Sequence, residues 1–96
     1  MRADYDSEAD ALSITLRRFA HYDDQLEVDD DYCTIGFAGG GPVRVSLLSP
    51  ANHLDLLDVA AERYELDGLA LLAAARAALA APDRVVELEV ASRVAA

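Results

Sequence analysis

The 96-residue chain has a single cysteine, Cys33, and no lysine. One cysteine excludes an intramolecular disulfide and a cysteine-rich zinc site. Without lysine, Gly39-Gly40-Gly41 cannot belong to a Walker-type phosphate loop. The eight basic residues are all arginine and face eighteen acids, for a formal net charge of −10. A small chain of that charge repels the phosphates of nucleic acids and of anionic membranes, so no direct binding to either is expected. The longest uncharged apolar run, 68–75, is far shorter than a membrane span. The first residues hold no apolar stretch of the signal-peptide kind. There are no internal repeats and no proline- or serine-rich linker. The expectation is a soluble cytoplasmic protein, one domain over 1–96, with no cofactor and no metal.

What is present is apolar and acidic. Hydrophobic residues make up 53% of the chain, enough to exclude disorder by composition. Much of that share is alanine in the second half, and alanine buries little surface per residue. A domain of this size then has a modest core, and a second copy would add to it.

Period-two alternation predicts strands at 2–6, 11–18, 32–38 and 43–47. Leu12, Ile14 and Leu16 fall on one face of the second strand; Cys33, Ile35 and Phe37 fall on one face of a later one. Gly39-Gly40-Gly41-Pro42 marks a hairpin turn, since glycine supplies positive φ and proline cannot donate to a ladder. Between these pairs, 19–31 is strongly acidic, with six acids in the nine residues 23–31. Like charges at that density resist burial, so the alternating Leu26 and Val28 predict an exposed edge strand.

Residues 54–65 place Leu54, Leu57, Ala61 and Tyr64 on one helical face, with Asn52 as the expected N-cap. Asp67 is the expected cap of a second, alanine-rich helix over 68–81, stopped by Pro82-Asp83. Val86, Leu88 and Val90 then alternate in a last strand. The fold class is α+β: an antiparallel β-meander over 1–48, then two helices and a C-terminal strand in 49–96. The expected core is Leu12, Ile14, Leu16, Ile35, Phe37, Val43, Val45, Leu47, Leu57 and Tyr64.

The stretch Tyr5-Asp6-Ser7-Glu8-Ala9-Asp10-Ala11-Leu12-Ser13-Ile14 resembles the signature of the family of domain of unknown function number 2283, small bacterial and archaeal proteins. That signature is a strand, tyrosine-aspartate, a small or proline residue, glutamate-alanine-aspartate, and an alternating apolar strand. The acidic segment and hairpin that follow keep the family's order of elements. Pro42-Val43-Arg44-Val45-Ser46-Leu47 departs from its glycine-led acidic strand. The resemblance covers roughly the first half of the chain and implies a fold without a chemistry. Some relatives look like the antitoxin half of toxin–antitoxin pairs, which is analogy.

Each chemical pattern has a plainer structural reading. Asp29-Asp30-Asp31 fails as a calcium loop, because counting from Asp29 puts Thr34 and Gly40 where glycine and an acid are needed. Tyr5, Asp6, Glu8 and Asp10 form a candidate signature turn, with Asp6 or Ser7 capping the bend and Asp10 bonding backbone amides. Nothing apolar frames these carboxylates, so catalysis is not expected of them. Cys33, in phase with Ile35 and Phe37, reads as a buried thiol rather than a nucleophile served by His21 or His53.

The leading reading is a non-enzymatic protein-interaction module, antitoxin-like by analogy, with a homodimer or a basic protein as partner. The helix at 68–81 is apolar nearly all round, and Leu69, Leu72, Arg76 and Leu79 form its candidate interface. The alternatives are a small hydrolase or metal-dependent enzyme using the acidic turn, and a structural or small-molecule-binding domain.

Overall fold

The computed structural model describes residues 1–29 and 31–88. Six antiparallel strands form one sheet: β1 (Arg2–Asp6), β2 (Ala11–Thr15), β3 (Asp24–Asp29), β4 (Cys33–Ala38), β5 (Gly41–Leu48) and β6 (Val85–Glu87). Two helices, α1 (Asp55–Tyr64) and α2 (Gly68–Ala80), stand between β5 and β6. The fold is therefore α+β. Val90, assigned by alternation to the last strand, lies outside the described residues, as does Asp30. Among the described residues no helix is long and apolar enough to cross a membrane.

The strand order is β3-β4-β5-β2-β1-β6. Strands β3, β4 and β5 run as a meander, while β1 and β2 form a separate hairpin that joins it through β2 and β5. The chain leaves β2 and crosses to the far edge before starting β3. The acidic strand is thus an edge, where its charges stay in water. At the opposite edge β6 pairs with β1 of its own chain, Ala3 facing Val86.

Both helices lie on one face of the sheet, α2 over β1, β2 and β6, and α1 over β3. The register builds one apolar row across that face: Leu26, Ile35, Val45, Ile14, Ala3, Val86. Ile14, Ile35, Val45 and Ala3 are buried, together with Leu12, Cys33, Val43 and Leu47. From the helices Leu57, Ala60, Ala61, Leu71, Ala74, Ala75 and Ala78 close the core. Leu16, Phe37 and Tyr64, expected inside, are only partly buried but pack against it, Phe37 meeting Tyr64 edge-on at 5.5 Å.

The helix starts differ from each other. Asp67 caps α2, its carboxylate accepting from the Ala70 N–H at 3.1 Å. Asn52 does not cap α1. Proline at 50 starts a separate 3-10 turn, Pro50–Asn52, which takes up Asn52, and α1 begins after Leu54 without a side-chain cap.

Candidate functional site

The signature turn is built from its own backbone bonds. Asp6 Oδ1 accepts the N–H groups of Glu8 and Ala9 at 3.0 and 3.2 Å. Such an Asx turn bends the chain within three residues. Asp10 takes positive φ, 53°, which ends the bend, and its carbonyl accepts from the Ser49 N–H at 2.9 Å. Its carboxylate does not bond backbone amides, as the sequence suggested. It accepts from the Tyr5 hydroxyl at 2.7 Å, since that ring lies beside it across the turn. This bond, with the carboxylate's charge behind it, holds the Tyr5 phenol above its ordinary range. Glu8 is exposed.

A fifth residue joins the turn from far along the chain. Asp83, in the link between α2 and β6, accepts the Ser7 N–H at 2.9 Å and the Ser7 hydroxyl at 2.7 Å. The Asp83 N–H in turn donates to the Tyr5 carbonyl at 2.7 Å. The hydroxyl and then the amide of Ser7 lower the Asp83 pKa. No local pattern reveals this partner, which stands 76 residues away. The carboxylates of Asp6, Asp10 and Asp83 thus serve the backbone and its neighbours, and the turn is a clasp between the first hairpin and the α2–β6 link.

The other chemical candidates stay apart. Cys33 is buried, and burial, with the charge of Asp29 added and that of Arg63 opposing, pushes its thiol up to about 11. A thiol in that state is a poor nucleophile. His53 stacks on Tyr32 with ring centroids 3.8 Å apart and shares a 3.0 Å hydrogen bond with the Ser49 carbonyl. His21 is exposed. Asp29 Oδ1 accepts from the Asp31 and Tyr32 N–H groups, so it too shapes a turn. Among the described residues no three histidine, cysteine or acidic side chains gather as a metal site.

The face of the sheet away from the helices is polar and partly covered. Its central row reads Glu87, Arg2, Thr15, Arg44, Gly36, Gln25. From the crossing segment after β2, Phe19 and Tyr22 stack at 5.1 Å and come down on this row. The Arg44 guanidinium lies 5.0 Å from the Phe19 ring centre, a cation–π contact. Tyr22 sits on Gly36, where any Cβ would overlap its ring. Alternation alone reads Gly36 as one more polar-face position and hides this contact.

The candidate interface residues lie on the outer side of α2. Leu69 is 82% exposed, Arg76 is exposed, and Leu72 and Leu79 are half-buried. The inner stripe is Leu71, Ala74, Ala75 and Ala78. No family model matches the chain, and no curated protein and no solved structure matches it.

Proposed function

We propose that the protein is a non-enzymatic interaction module that pairs with a second copy of itself through the outer face of α2. The observation that carries this reading is Leu69, a leucine 82% exposed on a helix with no carboxylate along its length. Two chains of net charge −10 repel, so a contact between them favours a surface free of acids. The outer face of α2 supplies one, with Arg76 its only charge. In an antiparallel, two-fold arrangement centred near Leu72, each Arg76 comes opposite the start of the other α2. The contact is then apolar at its middle, with Arg76 at its ends. Because β6 already pairs within its own chain, no strand exchange is required.

The resemblance of the Tyr5–Asp10 turn to its uncharacterised family fits this reading, because the turn's carboxylates are occupied in structure rather than offered to a substrate. Sedimentation velocity at micromolar concentration is the test. A dimer is expected that Leu69→Glu converts to monomer, and the exposure of Leu69 means the substitution spares the fold. A wild-type chain that sediments as a monomer at every concentration would overturn the proposal.

A further inference from the structure

Half of the arginines of this acidic chain stem from one end of the sheet. Arg2 faces Thr15 and Thr15 faces Arg44 in the open-face row, and Arg17 and Arg18 follow directly after β2. Four of the eight arginines therefore stem from the end of the sheet where β1 begins and β2 stops, Arg44 turning to Phe19 and Arg17 to the Ala38 carbonyl. A cleft of about 330 Å³ opens there, rimmed by Arg2, Arg17 and Arg18 and walled by Leu16 and Leu88. Among the described residues the one carboxylate in its lining is Glu87, which pairs with Arg2 at 2.8 Å.

The three guanidinium groups are not equally engaged. Arg2 has Glu87, and Arg17 donates to the Ala38 carbonyl. Arg18 makes no hydrogen bond among the described residues; its influence reaches Glu87 only through its field. With Arg17 turned to the β4–β5 hairpin, Arg2 and Arg18 stand against the Glu87 carboxylate, so among the described residues the cleft keeps an excess positive charge with donors to spare. The planar donor fork of arginine matches the two oxygens of a carboxylate or phosphate. The volume sits at the small end of ligand pockets, which run from about 300 to 1,000 Å³.

Two further features choose among anions. Leu16 and Leu88 give the cleft apolar walls, which a bare inorganic ion cannot use. The field of a −10 chain penalises each added negative charge, which disfavours polyphosphates and nucleic acids. We propose that this cleft is a binding site for a monocarboxylate carried on a short apolar chain, independent of the α2 pairing face.

Titration of ¹⁵N-labelled protein with hexanoate, followed by amide shifts, tests it. Saturable shifts are expected at Arg2, at Thr15 to Arg18 and at Glu87 and Leu88. Arg18→Gln should weaken binding about tenfold, the loss of one charge-assisted hydrogen bond. Glu87→Gln should tighten it, because the competing carboxylate is gone; a purely structural role for the Arg2–Glu87 pair predicts the opposite sign. Hexanol, which lacks the charge, should give no saturable shift. Three results would overturn the proposal: no saturation with hexanoate, equal binding of hexanol, or inorganic phosphate binding as tightly as hexanoate.

Discussion

The two faces of the sheet share the same strands and the same register, yet they solve opposite problems. On the helix-covered face the central row is apolar from edge to edge, and its inner members Ile35, Val45, Ile14 and Ala3 have almost no exposure. On the open face the adjacent row alternates charge, hydroxyl and glycine, and its cover is two aromatic rings from a loop. One residue's step along β2 separates Ile14 from Ser13, and that step moves a side chain from core to open face. The difference teaches where this small protein keeps its stability and where it has surface left for partners.

The largest effect expected is on the covered face. Ile14 is fully buried at the centre of its row, so Ile14→Ala should cost about 2–5 kcal/mol, the lost transfer energy plus the cavity left behind. Ser13→Ala, one position away on the open face, should cost under about 0.5 kcal/mol. Urea denaturation of both variants measures the contrast directly. Equal losses at the two positions would break the distinction between the faces.

A smaller effect is expected where the open face has its cover. Alanine in place of a strand glycine ordinarily stabilises. Gly36→Ala should instead cost about 1–2 kcal/mol, because the new methyl displaces Tyr22 from its seat. The cost should largely vanish when the same change is made in a Tyr22→Ala background, where no ring is left to displace. An additive pair would show that Tyr22 does not rest on Gly36.

Much of the covered face was legible in the sequence, and the reason is period-two alternation. Leu12, Ile14, Ile35, Val45 and Leu47 each fall on the every-second-residue phase of their strands, and each is buried. The acidic edge strand was legible for a related reason, since charges such as Asp24 and Glu27 cannot enter a core. Alanine was the weak point. Ala60, Ala74, Ala75 and Ala78 are as buried as the leucines, but alanine is common on both sides of a helix and marks no phase. The Asn52 cap was misread because the local pattern did not show that Pro50 would start its own 3-10 turn. Of the turn, the Asp6 bend was legible, as it is made within three residues. The Asp83 clasp, the arginine cleft and the Tyr22 contact join residues distant in sequence, so no window along the chain displays them.

The smallest effect sits at the rim between the faces, where stability depends on pH rather than on burial. Asp83 accepts two bonds from Ser7, and those bonds lower its pKa below the ordinary aspartate range. A carboxyl whose pKa falls on folding stabilises the native state fully above its unfolded pKa. That contribution fades as pH falls through the lower, folded value, so the sensitive window opens below about pH 4. Asp83→Asn isolates the charge, because asparagine tolerates the positive φ of 63° at this position. The variant should be modestly less stable than wild type at neutral pH, and the gap should narrow as both are acidified to about pH 2.5. The Ile14→Ala deficit, which comes from apolar packing, should hardly change over the same range. Urea midpoints of the three proteins at the two pH values decide the matter. A gap between wild type and Asp83→Asn that survives acidification undiminished would mean that the clasp owes its strength to geometry, with no contribution from the charge on Asp83.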